Sequence, residues 1–317
     1  MARINSVLGP LETARLGFTL SHEHVLISSA GIGDIYPQFI DRDGTIRKAT
    51  ADLKQAYSEG LRTIVDLTTM DLGRDIRALE QVSRNSGVQI ICATGTWLDI
   101  PRVFASATPD IVASLYVREI TKGIERTDIK AGIIKVANDA GGVTKKGEII
   151  LRAAARAQKS TDVPISTHTY APERTGEQQI KIFEEEGVDL NRVCIGHSND
   201  SSDINYLKWL ADQGVWVGLD RYPTGLPNSP DWEKRTDILK QLIDDGRSHR
   251  IMLGHDWDVT LTMANRDEVA SNQKLNPDSY LFITRRVLPR LRELGVSRDE
   301  IQEMMEENPR RFFENWK

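Results

Sequence analysis

His22 and His24 stand one residue apart in Thr19-Leu20-Ser21-His22-Glu23-His24, at the end of the first apolar run of the chain. Side chains two apart on an extended strand project to the same face, so both imidazoles can meet one cation. Four further short apolar runs end in residues able to bind or modify a metal site: Ala131-Gly132-Ile133-Ile134-Lys135, Val163-Pro164-Ile165-Ser166-Thr167-His168, Val193-Cys194-Ile195-Gly196-His197 and Ile251-Met252-Leu253-Gly254-His255-Asp256. His22, His24, His168 and His197 offer neutral nitrogen ligands suited to zinc or a similar first-row ion, and Asp256 offers an oxygen. Lys135 is the odd member, because an ammonium has three donors, no acceptor and the wrong sign of charge for an ion. It is kept neutral by the metals, forms a Schiff base with a carbonyl substrate, or is converted to an anionic carbamate bridging two cations. Charge counting favours the carbamate: two divalent ions bring four positive charges, Asp256 and a hydroxide offset two, and a carbamate removes a third.

The elements that must carry these residues alternate short β-rich runs with longer amphipathic stretches, the pattern of βα units around a parallel sheet. The strands are expected at Phe18–His22, Thr63–Leu67, Gln89–Thr94, Ala131–Val136, Val163–His168, Val193–His197, Val215–Leu219 and Arg250–Gly254. Helices are expected at Ala49–Glu59, Gly73–Asn85, Asp110–Arg126, Lys145–Lys159, Thr175–Glu186, Ile204–Gln213, Trp232–Asp245 and Tyr280–Leu294, with two short helices over 297–317. Eight such units make one (β/α)8 TIM barrel over residues 1–317, whose site lies on the carboxyl-terminal rim of the strands.

With 317 residues and 39% hydrophobic content the chain can bury a barrel-sized core. A net charge of -5 argues against a nucleic-acid surface. Cys92 and Cys194 fall inside expected strands and read as small buried hydrophobes. The start Met1-Ala2-Arg3-Ile4-Asn5 has no apolar signal core, and no run approaches the roughly 20 apolar residues of a membrane span, so a cytoplasmic enzyme is expected. His255 adjoins Asp256 and must point away from it, His249 reads as a solvated loop residue, and Ala140-Gly141-Gly142-Val143-Thr144-Lys145-Lys146-Gly147 reads as a βα turn.

The strand-end motifs, with Thr63-Ile64-Val65-Asp66-Leu67-Thr68 and the terminal Glu307-Asn308-Pro309-Arg310-Arg311-Phe312, resemble the phosphotriesterase family of the amidohydrolase superfamily, in the branch that includes the phosphotriesterase-like lactonases. The resemblance covers almost the whole chain. It implies two divalent metal ions, zinc first and cobalt, iron or manganese as substitutes. His22, His24 and Asp256 would hold the buried one, His168 and His197 the exposed one, and carbamylated Lys135 with a hydroxide nucleophile would bridge them. Asp256 would take a proton, with Asp200 as a relay and Arg221 beside it; a homodimer is implied too.

The substrate follows from details of the same comparison. In this family triesterases carry a long insertion after strand seven and a histidine after its terminal aspartate. This chain has Gly218-Leu219-Asp220-Arg221-Tyr222 and only 36 positions from Asp220 to Asp256, which looks lactonase-like. Trp97, where lactonases commonly carry tyrosine, and Ser28-Ser29-Ala30-Gly31 look triesterase-like. The expected activity is lactone hydrolysis, on N-acyl-homoserine or other γ- and δ-lactones, with promiscuous phosphotriesterase activity; the alternative is a dedicated organophosphate phosphotriesterase. Trp97, Arg221, Tyr222 and Trp257 are expected to line the pocket, with Leu261 and Met263 along an acyl channel in the loop Trp257–Asp278. A Schiff-base lyase built on Lys135 and a metal-dependent binding protein are the competing classes.

Overall fold

The computed structural model describes residues 2–263, 271 and 274–314. A hairpin of β1 (Arg3–Ser6) and β2 (Gly9–Glu12) comes first. Among the described residues, eight parallel strands then lie side by side in chain order: β3 (Thr19–Glu23), β4 (Thr63–Asp66), β5 (Gln89–Thr96), β6 (Ile133–Ala137), β7 (Ile165–His168), β8 (Val193–Ile195), β9 (Trp216–Leu219) and β10 (Ile251–Leu253). The seam between β10 and β3 is bridged where the Asp256 amide donates to the His22 carbonyl at 3.0 Å and the His24 amide to the Trp257 carbonyl at 2.8 Å. The arrangement is the expected (β/α)8 barrel.

Two-residue alternation sorts the strands into two apolar layers. Val65, Ile91, Ala93, Ile133, Cys194, Trp216 and Met252 pack inside the ring, with Ile4, Leu11, Leu16, Phe312 and Phe313 in the same cluster. Ile64, Ile90, Cys92, Ile134, Ile165, Val193, Val217 and Leu253 face the helices. Both cysteines are free and buried, one in each layer. Because Lys135 is two residues beyond inward-facing Ile133, the same alternation sends it inside.

The helices follow their strands, and their starts are set by caps. Asp75, Thr144, Asp203 and Asp231 each accept a backbone amide in the first turn of the helices Ile76–Ser86, Lys145–Thr161, Ile204–Asp212 and Trp232–Asp244. The first long helix spans Arg42–Ser58 rather than starting at Ala49, because Asp41 accepts from the Gly44 amide at 2.9 Å and opens it earlier. The expected helix Tyr280–Leu294 is broken into a short tight turn Ser279–Leu281, a widened π turn Ile283–Val287 and a helix Leu288–Glu293. The Ile283 amide donates to His255 Nε2 at 3.0 Å and so leaves the ordinary helical ladder, and Pro289 has no amide to give. The carboxyl-terminal pair, Arg298–Gln302 and Asn308–Phe313, is likewise joined by a π turn, Glu303–Glu307.

Asn308 ties this last helix to the barrel floor. Its buried Nδ2 donates to the Ser248 and Ile251 carbonyls at 2.7 and 2.8 Å. Asn308→Ala leaves both carbonyls buried without a donor, at a cost of about 1–3 kcal/mol each. Thermal unfolding should show the midpoint lowered by roughly 5–10 °C, while kcat of the folded variant stays at the wild-type value.

Candidate active site

The strand ends deliver their polar residues to one small volume. His22 Nε2 and His24 Nε2 each lie 3.2 Å from Asp256 Oδ1, and His197 Nε2 lies 3.8 Å from Asp256 Oδ2. Lys135 Nζ is 3.3 Å from His22 Nε2. The rings of His22 and His197 stack at 4.8 Å, and His168 meets His197 edge-on at 4.4 Å. Thus His22, His24, Lys135, His168, His197 and Asp256 come together at the carboxyl-terminal rim. His197 and Asp256 both have left-handed backbone, φ 58° and 56°, a conformation that costs free energy in non-glycine residues and recurs at active sites.

Asp220 decides which nitrogen each histidine presents, and the motif reading used it only as a landmark. Its Oδ2 accepts from His22 Nδ1 at 2.8 Å; its Oδ1 accepts from His197 Nδ1 at 3.0 Å and from the His197 amide at 2.7 Å. With the proton held on Nδ1, each ring turns its Nε2 lone pair toward Asp256. Gly196 and Gly218 give the carboxylate its space: a Cβ on either would stand 2.9–3.0 Å from Asp220 Oδ2. Burial opposes ionisation of Asp220, but the two imidazoles outweigh it and hold the carboxyl below its ordinary range. The signal available in the sequence was the one that found Asp256, an acid at a strand's carboxyl end.

The same logic extends round the rim. His24 Nδ1 bonds Thr68 Oγ1 at 2.8 Å, and the Tyr280 hydroxyl donates to the His24 carbonyl at 2.6 Å. Trp97 Nε1 donates to His168 Nδ1 at 3.4 Å, while Asp139 Oδ2 lies 3.9 Å from His168 Nε2. Trp97 is itself held by its amide, which donates to the buried Asp71 at 3.0 Å. Arg221 Nε donates to Asp256 Oδ2 at 3.0 Å and Nη1 to Asp200 Oδ2 at 2.5 Å. Arg235 holds the other Asp200 oxygen at 2.8 Å and also donates to the Asn199 and Arg221 carbonyls. Asp139, Asp71 and Arg235 carry no motif, since each acts through a neighbour from another loop.

Several expected pocket residues are placed differently. Tyr222 is fully buried in the apolar layer beneath the helices, and Trp257 packs into the same layer, its small exposed part lining a separate cavity beside Lys48, Asp52 and Asn276. The reason is local: the chain must pass its next side chain outward after an inward Arg221 or Asp256. Leu261 is half-buried and Met263 is 61% exposed; this stretch pairs with residues 39–41 through Asp41 to Leu261 and Met263 to Phe39 backbone bonds of 2.8 and 2.9 Å. Residues 264–270 and 272–273 of the expected acyl channel lie outside the described residues. His255 turns away from the site and is held at Nδ1 by Glu23 at 2.7 Å; His249 is exposed.

Burial sets the protonation of the cluster. It lowers His22 to about 4, with the Lys135 charge adding to it, and lowers His168 and His197 as well. For His24 burial also pulls downward, but its bond to Asp256 wins and raises it. Burial lowers Lys135 to about 8 against the pull of Asp220 and Asp256. Two groups satisfy the geometric requirement for a metal site, His22, His24 with Asp256 and His22, His197 with Asp220. In the first, two imidazole Nε2 atoms and a carboxylate oxygen converge, and with the imidazoles deprotonated they form a set of acceptors that a cation completes. In the second, Asp220 is already spent on the Nδ1 protons. The donor set of the first group therefore fits a divalent ion.

The profile of the Phosphotriesterase family matches residues 2–313. The chain belongs to this family. It is similar to a protein of Saccharolobus solfataricus named aryldialkylphosphatase, 39% identical over 306 residues that cover 96% of each chain. It is equally similar to a phosphotriesterase homology protein of Mycobacterium tuberculosis, 39% identical over 99% of this chain and 98% of the relative. A more distant relative in Danio rerio, 24% identical over 98% of this chain and 97% of its own, is named N-acetyltaurine hydrolase. As a member of the phosphotriesterase family the protein is a hydrolase. No helix among the described residues is long and apolar enough to cross a membrane.

If Asp220 sets the imidazole tautomers, Asp220→Asn keeps the size but removes the charge that fixes them. The folded variant should bind divalent metal about 10–100-fold more weakly, read by competition against a chromogenic chelator, with an unchanged far-ultraviolet circular dichroism spectrum.

Proposed function

We propose that the protein is a two-metal hydrolase whose better substrates are lactones, with phosphotriester hydrolysis as a side activity. The observation that carries this reading is the convergence of His22, His24, His168, His197 and Lys135 on Asp256 at the strand ends, with Arg221 closing the far side of the carboxylate. His22, His24 and Asp256 would hold one cation, His168 and His197 the other, and Lys135 as a carbamate would join them. Forming that carbamate needs carbon dioxide: the free amine's lone pair makes the new N–C bond, one C=O π pair moves onto oxygen to become the carbamate's negative charge, and the amine proton leaves to solvent. Two divalent ions, zinc first, would supply Lewis-acid polarisation and a nucleophilic water of lowered pKa.

The chain's own residues supply the rest. Asp256, ionised and bonded by Arg221, is placed to receive a proton. Arg221 stands between Asp256 and Asp200, and a guanidinium does not give up its proton. Asp200 therefore holds Arg221 in place rather than taking the proton itself. Trp97 lies edge-on to His168, ring centroids 5.8 Å apart, as a wall for the substrate. A tetrahedral carbonyl intermediate and a pentacoordinate phosphorus both place negative charge on one oxygen, so one electrostatic device can serve both. The short span from Asp220 to Asp256 and the bulk of Arg221 leave more room for a flat ring than for a three-armed phosphorus centre. The relatives' names, one a phosphatase and one hydrolysing an N-acetyl group, support a site tolerant of both chemistries. The aryldialkylphosphatase name at 39% identity favours the second reading, a dedicated phosphotriesterase.

Lys135→Ala should lose activity and bound metal together, with partial recovery of both on adding a short carboxylic acid; activity retained in the metal-loaded variant would remove the carbamate. The substrate assignment rests on rates. An acyl-length series of homoserine lactones should show higher kcat/KM than aryl dialkyl phosphates, and rise by at most about fourfold per added methylene, the limit set by about 0.8 kcal/mol each. Trp97→Tyr should shift the ratio further toward lactones. Triesters outrunning every lactone by more than about tenfold would establish the second reading.

A further inference from the structure

At the opposite end of the barrel, the amino-terminal ends of β8, β9 and β10 and the last helix enclose a cavity of about 320 Å³ lined by Asp189, Asn191, Arg192, Trp216, His249, Arg250 and Arg311. Three guanidinium groups against one carboxylate is an unusual lining in a chain of net charge -5. Arg192 is only 7% exposed, and its Nη atoms are spent on the Phe312, Glu314 and Asp162 carbonyls rather than on an acid. Its buried Nε has no hydrogen-bond partner. Arg250 donates to Asn191 Oδ1 at 2.7 Å and to the Gly214 carbonyl at 3.0 Å, and stacks over the Trp216 ring at 5.3 Å. Among the described residues neither guanidinium has a carboxylate within 4.0 Å.

A buried cation with no carboxylate within ion-pair distance is costly, and a small cavity that sets half-buried Arg250 near buried Arg192 lowers that cost by admitting an anion. We propose that this cavity is a binding site for a small oxyanion of the phosphate class, held by Arg192 and Arg250 with Arg311 at its edge. Arg311 pairs with Glu303 at 3.3 Å and so contributes less free charge than the other two. Asp189 faces the same space with its Oδ1 accepting from the Asn191 amide and side chain at 3.0 and 2.9 Å, and its charge offsets part of the positive field of Arg192 and Arg250. His249 stands at the open side, exposed, with Nδ1 3.0 Å from the Gly246 carbonyl. Burial lowers the Arg250 pKa and the Arg311 charge adds to this, against the opposing pull of the Asp189 carboxylate.

The site is far from the catalytic rim, and its walls join three strands to the carboxyl-terminal helix. On a barrel this face governs stability rather than chemistry. An anion bound only by the folded state raises the unfolding midpoint by mass action. The proposal does not depend on which substrate the rim hydrolyses.

The test uses the metal-loaded enzyme and inorganic phosphate at constant ionic strength, with chloride as the control ion. Phosphate should raise the unfolding midpoint in a saturable way, with one site by calorimetry beyond any that tracks inhibition of turnover. Arg250→Gln should weaken that binding roughly tenfold, the loss of one charge-assisted bond. Arg311→Gln, the reserve if the first variant folds poorly, should weaken it less. Phosphate also competes at the metals, but there it reads as inhibition of turnover, and that inhibition constant should be the same in wild type and both variants. An equal phosphate shift in wild type and Arg250→Gln would overturn the site.

Discussion

The catalytic rim depends on one buried carboxylate. Asp220 is 1% exposed, yet it stays ionised because two imidazole N–H groups and one amide converge on it. Removing a carboxylate from water costs several kcal/mol unless donors replace the lost hydration, and here three do. The same bonds fix the ring orientation of His22 and His197, so the stabilising interaction is also the one that aims the nitrogen lone pairs. Glycines at 196 and 218 are the steric counterpart, since a methyl at either position would take the volume the carboxylate occupies. The barrel core under the site is thus shaped around an anion rather than packed solid.

A second carboxylate does the corresponding work at the seam. Glu23 is fully buried and accepts from the His255 amide and Nδ1 at 2.8 and 2.7 Å and from the Trp257 amide at 3.3 Å. It thereby fastens the end of β3 to the segment that carries Asp256. The other nitrogen of His255 takes the Ile283 amide, which reaches into the following helix and widens its first turn. The placement of Asp256 on one side of this segment and helix geometry on the other are consequences of the same pair. Burial raises the Glu23 pKa, opposed by His255, so the pair's stability rests on its hydrogen bonds being complete.

The two ends of the barrel handle charge in opposite ways. At the rim, the guanidinium of Arg221 is matched by Asp256 and Asp200, and Arg235 is matched by Asp200. The floor leaves Arg192 and Arg250 facing backbone carbonyls and a cavity. A matched network holds its members in one geometry, which catalysis requires. Two cations that share only the more distant Asp189 carboxylate leave room for a mobile partner, as proposed above.

The order of strands, their inward faces and the residues at their ends were all legible in the sequence, because the direction of a side chain along a strand is set by the two-residue pleat alone. That rule placed His22, His24, Lys135, His168, His197 and Asp256 on one rim and turned His255 away from it. It could equally have picked out Asp220, at the end of β9. What it could not supply is which strand ends touch. His22 and Asp220 are 198 positions apart, and their contact is decided by how far neighbouring strands are offset around the ring. Loop residues were still less legible: Trp97 reaches His168 while Trp257 and Tyr222 turn into the core, although all three follow strands at the same end. The path of a loop is fixed by partners in other loops, as Asp71 fixes Trp97. Local sequence thus determined which side chains face the site, and only the closed barrel decided which of them meet, because those distances exist only once all eight strands are in register.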